Sequence, residues 1–87
     1  DIIVYKVQFL STVKSKGDLT VTVKGKKYQA SEYLYKGEYR YTIGEFNNII
    51  PAIELQYACR RAGYPKAFVV VFKNNMRTLD PELFMKE

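Results

Sequence analysis

Few side chains in this sequence are able to do chemistry, and their spacing argues for holding a ligand over converting one. Cys59 is the single thiol, and the chain contains no His to act as its base. A nucleophilic thiol needs such a basic partner to reach its thiolate form. Cys59 falls on the apolar face of an expected helix and reads as a small packing residue. His is also the commonest general base and metal ligand, so its absence removes both roles. The nine Asp and Glu residues are scattered, with no pair at a spacing suited to acid–base work. Gly25, Gly37, Gly44 and Gly63 form no phosphate-cradling motif. The Lys24-Gly25-Lys26-Lys27 run can grip an anion, but it reads better as a solvated turn. The expectation is a binding domain, not an enzyme, with no cofactor and no metal.

The elements that must position such a binding face fit one domain spanning residues 1–87. Hydrophobic residues make up 47% of the chain, enough for a thin core without metals or disulfides. One cysteine allows no intrachain disulfide. Fourteen Lys and Arg against nine Asp and Glu give a net charge of +5, which favours anionic partners or simply a soluble basic surface. Eight Tyr and no Trp supply rings with polar tips, suited to half-exposed sheet surfaces. No run of 18 apolar residues exists, so no membrane span is expected. Residues 1–10 carry no signal-peptide pattern, so an exported parent would have its targeting segment upstream or removed.

Periodicity orders the elements. Residues 2–10 alternate as a strand. Residues 11–17 are a polar, basic loop, and residues 19–23 form a short extended segment that turns at Lys24-Gly25. Residues 11–29 contain no helical pattern. Residues 32–35 and 39–43 form a hairpin about Lys36-Gly37, and Gly44 ends its second strand. In that strand Tyr39, Tyr41 and Ile43 share one face, and Arg40 and Thr42 the other. Asn47 or Asn48 caps a helix over 49–62, with Pro51 in its first turn, Arg60 and Arg61 in its last, and Gly63 at its exit. Ala52, Leu55, Gln56, Cys59 and Ala62 fall on one helix face. Residues 67–73 read as a strand covered on both faces. Asn74-Asn75 turns the chain, and Asp80-Pro81 opens a tail with room for one helical turn.

Together these segments resemble a known family. Tyr5-Lys6-Val7-Gln8-Phe9-Leu10-Ser11 resembles the aromatic-x-Val-Gln first strand of SPOR peptidoglycan-binding domains. Tyr39-Arg40-Tyr41-Thr42-Ile43-Gly44-Glu45-Phe46 resembles that family's strand running into Gly-x-Phe. Ala52, Leu55 and Arg61-Ala62-Gly63-Tyr64 match its second helix, and Ala67-Phe68-Val69-Val70-Val71 its last strand. The resemblance covers residues 4–73, leaving a tail over 74–87. It is nearest to SPOR domains attached to N-acetylmuramoyl-L-alanine amidases of Bacteroides-like bacteria.

The resemblance implies an α+β, ferredoxin- or RNP-like βαββαβ fold with a four-stranded antiparallel sheet, helix on one face, and here a degenerate first helix. It implies binding of peptidoglycan glycan strands stripped of stem peptides, in the periplasm or cell envelope, often at the division septum. Gln8 and Ser11 match family positions that line the glycan site, Arg40 its basic position, and Phe68 its apolar position. Where some members place an open-face Trp, this chain has Glu38, so Tyr33 or Tyr35 would have to stack on sugar. Gln8 offers a donor and an acceptor, Ser11 a hydroxyl, and Arg40 charged donors for acetamido carbonyls or lactyl carboxylates. The parity of the strands puts Lys6, Gln8, Arg40 and Thr42 together on an open face if Val7, Phe9, Tyr41 and Ile43 face the helix. Two other functions fit the same outline: an RNA-binding RRM, or a protein-interaction module. An RRM requires a Lys/Arg-Gly-Phe-Gly/Ala-Phe-Val strand that this sequence lacks, so nucleic acid is not the expected partner.

Overall fold

The computed structural model describes residues 1–85. Its first strand, β1 (Ile3–Thr12), ends in a polar loop that leads to β2 (Thr20–Val23) and β3 (Lys26–Gln29). Then come β4 (Ser31–Tyr35), β5 (Glu38–Phe46), the α-helix α1 (Ile49–Arg61), β6 (Phe68–Lys73) and β7 (Met76–Thr78). A 3-10 turn over Pro81–Phe84 supplies the turn expected in the tail. The protein is thus α+β. Strands β4-β5-β1-β6-β7, in that order, form a five-stranded sheet in which every pair is antiparallel.

Three hairpins use the same local chemistry. Lys24-Gly25, Lys36-Gly37 and Asn74-Asn75 all have positive φ at both central residues, the signature of a tight turn whose twist matches the strands it joins. The last of these differs from expectation in its consequence. It does not release a tail but returns the chain as β7, pairing Phe72 with Arg77 and Val71 with Thr78. The tail expected over residues 74–87 is therefore partly sheet; its last two residues lie outside the described ones.

The degenerate first helix is also corrected. Residues 20–29 form a two-stranded hairpin, β2-β3, separate from the main sheet. The β-branched Thr and Val of β2 favour a pleated strand, and their alternation buries Val21 and Val23 while Thr20 and Thr22 face solvent. Val21 and Val23 enter the same core as Val7, Phe9, Tyr41, Ile43, Leu55 and Cys59. The hairpin and α1 thus share one face of the sheet. Each such aliphatic side chain fully removed from water contributes roughly 1.5–3 kcal/mol.

Helix α1 begins where Asn48 Oδ1 accepts the Ile50 amide at 2.8 Å. It ends where the Tyr64 amide reaches back to the Cys59 carbonyl at 3.0 Å, with Gly63 at φ +111° completing a Schellman-type cap. Ala52, Leu55 and Cys59 are buried as their spacing predicts. Gln56 meets the sheet with a polar contact: its Oε1 accepts the Val69 amide at 2.9 Å. Strand β6 lies inside the sheet, with Val69, Val70, Val71 and Phe72 all buried, so both its faces are covered.

The β1–β5 pairing carries two bulges. Tyr5 lies opposite Phe46 and Val7 opposite Ile43, so Gly44 and Glu45 together face Lys6. Gly44 therefore does not end its strand, which continues to Phe46. Gly44 has φ +80°, and a Cβ there would come within 2.7 Å of Phe46 and 2.8 Å of Leu55. The second bulge lies between Gln8 and Leu10, where Phe9 is the extra residue on β1.

The loop before β2 is tied down through Glu32. Its Oε2 accepts hydrogen bonds from the Ser15 hydroxyl at 2.6 Å and the Tyr41 hydroxyl at 2.7 Å. The Tyr41 hydroxyl in turn accepts the Lys16 amide at 2.6 Å. The Ser15 and Tyr41 hydroxyls hold the Glu32 carboxyl below the ordinary glutamate range.

Two outcomes follow. Gly44→Ala combines backbone strain with two close contacts and should cost about 2 kcal/mol, lowering Tm by roughly 10 °C; an unchanged thermal melt would contradict the bulge geometry. The depressed Glu32 group stabilises the fold above about pH 4.3, its unfolded value, and that contribution is lost as pH falls through the lower folded value. Glu32→Gln should therefore show a smaller loss of Tm between about pH 5 and pH 3 than the parent chain, and parallel acid limbs would refute it.

Candidate functional site

The sheet face opposite α1 and the β2-β3 hairpin gathers the residues expected to bind. Cross-strand pairs set the rows. Gln8 sits between Thr42 of β5 and Phe68 of β6, and Arg40 sits between Tyr33 of β4 and Ser11 of β1. Gln8 and Ser11 are three residues apart, so simple alternation would put them on opposite faces. The bulge at Phe9 resets the parity and returns Ser11 to the face of Gln8 and Arg40. Gln8, Leu10, Ser11, Arg40, Lys66 and Phe68 line one cleft of about 340 Å³. Tyr33 and Tyr35 line an adjoining groove with Phe72, Asn75, Met76 and Arg77. All six expected site residues therefore share this face.

The face is less open than strand parity implies. Gln8 is only 4% exposed and Thr42 only 1%. Side chains of the two edge strands reach over them. The Tyr33 hydroxyl of β4 donates to Gln8 Oε1 at 2.5 Å and accepts from Arg77 Nη1 of β7 at 3.3 Å. The Tyr33 ring also meets the Phe72 ring edge-on at 5.0 Å. Strands β4 and β7 are opposite edges of a five-stranded sheet, so these contacts require the sheet to curl until its edges approach. The expected polar shelf is a trough whose floor, Gln8 and Thr42, lies under a Tyr33–Arg77 bridge.

The walls are aromatic and positively charged. The Arg77 guanidinium lies 4.4 Å from the Tyr35 ring centroid, and that of Arg40 lies 5.3 Å from it. Lys36 approaches the same ring at 5.5 Å, and Lys6 stands over Phe72 at 4.8 Å. Such contacts are each worth about 0.5–1 kcal/mol at exposed sites. Arg40 Nε donates to the Tyr35 carbonyl at 3.0 Å, which fixes the guanidinium beside that residue. Its carboxylate neighbour, Glu38, is at 4.0 Å. Burial raises the Tyr33 hydroxyl above the ordinary tyrosine range, against the opposing pull of Arg77 and Arg40.

Ser11 is exposed at the mouth of the cleft, and Phe68 keeps 36% of its surface exposed. Both are free to meet a ligand. Arg77 is not among the residues the sequence singles out, because residues 74–87 read as a tail by pattern alone. The signal available was Asn74-Asn75, a pair suited to a tight hairpin turn. Cys59 lies outside this face, on the core-facing side of α1, and burial pushes its thiol upward.

Among the described residues no helix is long and apolar enough to cross a membrane. No family model, curated protein or solved structure matches this chain.

Tyr33→Phe tests the bridge. It keeps the ring against Phe72 but leaves the buried Gln8 oxygen without its donor, and should cost about 1–3 kcal/mol. Urea unfolding measures it; full stability in the variant would mean the Tyr33 hydroxyl is not holding the trough closed.

Proposed function

We propose that this chain is a non-catalytic glycan-binding module of the SPOR kind, which holds peptidoglycan strands stripped of stem peptides. The observation that carries the reading is the single cleft formed by Gln8, Ser11, Arg40 and Phe68. These are the four positions at which the sequence resembles the family's glycan-lining residues. The bulge at Phe9 supports the reading further, since it returns Ser11 to the face of Gln8 and Arg40 although Gln8 and Ser11 are three residues apart.

The finer fold assignment belongs to the same proposal. Without the β2-β3 hairpin and β7, the strands run β4-β5-β1-β6, with α1 crossing from β5 to β6 over β1. We read this as a βαββαβ arrangement in which a hairpin stands where the first helix would lie.

The chemistry suits a sugar polymer. Ser11, the free part of the Arg40 fork and Lys66 offer donors at the cleft mouth for hydroxyl and acetamido oxygens. Phe68 offers a partly exposed ring to an apolar sugar face. The runner-up, RNA, would need exposed stacking rings on the two central strands. On this face those strands instead carry Lys6, Gln8, Arg40 and Thr42. The parent protein would act in the periplasm or cell envelope, with this domain targeting a cell-wall enzyme such as an amidase to stripped glycan, as at a division septum.

Sedimentation with amidase-treated sacculi, set against homopolymer RNA, tests the reading. Gln8→Ala is a poor probe because it disrupts a buried hydrogen bond, so Arg40→Ala and Ser11→Ala are preferred. Arg40→Ala should weaken sacculus binding by about tenfold or more, with Ser11→Ala milder and both folds intact by circular dichroism. Retention on RNA but not on sacculi would overturn the proposal, as would sacculus binding indifferent to both substitutions.

A further inference from the structure

Arg77 is placed unlike the other cations of the molecule. It lies half-buried on the short edge strand β7, with its guanidinium 4.4 Å from the Tyr35 ring and 5.7 Å from the Phe68 ring. Among the described residues the one hydrogen bond of its side chain, to the Tyr33 hydroxyl, is long at 3.3 Å. Its Nε is buried and has no hydrogen-bond partner among the described residues. Neither ion pair found among those residues involves it. A buried donor left unpaired costs about 1–3 kcal/mol, so its retention asks for a compensating role.

The second guanidinium, Arg40, lies 5.3 Å from the same Tyr35 ring, so the two cations stand within about 10 Å of each other. Two like charges this close repel, and among the described residues only Arg40 of the two has a carboxylate beside it, Glu38 at 4.0 Å. An anion seated beside both offsets that repulsion and accepts from the outer N–H groups of the two forks, while the buried Arg77 Nε stays against the aromatic rings around it. The planar fork of arginine matches a carboxylate with two parallel hydrogen bonds, which an ammonium cannot do.

We propose that Arg77 and Arg40 form an anion subsite on the concave face that takes the carboxylate of an acidic sugar, namely the free lactyl carboxylate exposed when a stem peptide is removed. The inference rests on the glycan reading and deepens it. It gives a physical reason for choosing stripped strands: a stem peptide converts this carboxylate to a neutral amide, which loses the charge and one acceptor oxygen. Phe68, beside Arg77, meets the ring of the same sugar.

Isothermal titration with the full chain separates the two levels of the claim. The probes are soluble stripped glycan strands, the same strands with their lactyl carboxylates converted to methylamides, and neutral chitin oligosaccharides. The parent chain should bind the carboxylate strands about tenfold or more tighter than the methylamide strands, and this preference should shrink with added salt. Arg77→Met keeps apolar packing between Tyr35 and Phe68 and should lose most of the preference, leaving only what Arg40 supplies. Arg77→Lys retains the charge but not the fork and should recover only part of the preference. Should Arg77→Met fail to fold, Arg77→Lys and the two-polymer comparison on the parent chain decide the matter. Equal binding of carboxylate and methylamide strands overturns the anion subsite while leaving glycan binding intact. Binding of none of the three polymers overturns both.

Discussion

The register between β1 and β5 governs the rest of the molecule. Two bulges of opposite sense lie within it, one adding a residue to β5 at Gly44-Glu45 and one adding Phe9 to β1. Each bulge bends its strand and sharpens the local twist. These are neighbouring strands at the heart of a five-stranded sheet, so a bend there is carried outward to both edges. The hydrogen bond between Arg77 of β7 and Tyr33 of β4 is the outcome: side chains from opposite edges meet across the three strands between them. A flat sheet would hold those edges far apart, since neighbouring strands are spaced by about 4.8 Å.

The same register distributes polar and apolar groups. On the convex side, Val7, Phe9, Tyr41 and Ile43 pack with α1 and with Val21 and Val23 of the separate hairpin. Tyr5, Val69 and Val71 pack with Ile49 and Ala52 of the helix N-terminal half. The helix alone covers only part of the sheet, and the hairpin supplies the remaining cover with two valines. On the concave side the covering groups are amphipathic. Tyr33 reaches Gln8 and packs edge-on to Phe72, and Arg77 lies over Tyr35 and Phe68, while their polar tips meet one another. This arrangement produces a trough that is shielded yet rich in hydrogen-bonding groups and positive charge, the combination on which the proposed glycan reading rests.

Closure of the trough also bears on binding energetics. On the proposed glycan reading, a ligand entering beside Arg40 and Phe68 would meet an Arg40 side chain already positioned by the Tyr35 carbonyl and ring. Little rotamer freedom remains to be lost, and such preorganisation lowers the cost of association. Gln8 then acts from beneath, orienting Tyr33 and through it Arg77, instead of reaching the ligand as an isolated polar group.

What the sequence determined by itself was what local physics controls. Positive-φ turns at Lys24-Gly25 and Lys36-Gly37, the Asn48 cap, the Gly63 exit and the alternation in β5 each depend on residues a few positions apart, so their patterns could be read directly. The same logic brought Gln8 and Arg40 onto one face, and chain spacing alone placed one helix between β5 and β6. Tertiary structure decided the rest. Whether residues 20–29 lie on the sheet as a hairpin depended on a surface beside α1 that only the assembled core presents. Whether Ser11 joins Gln8 depended on an unpaired Phe9, and a bulge is a property of two strands about 30 residues apart, not of either one. The burial of Gln8 and the recruitment of Arg77 depended on curl accumulated across five strands, because a two-residue period tells which side chains share a face but carries no record of how far that face bends.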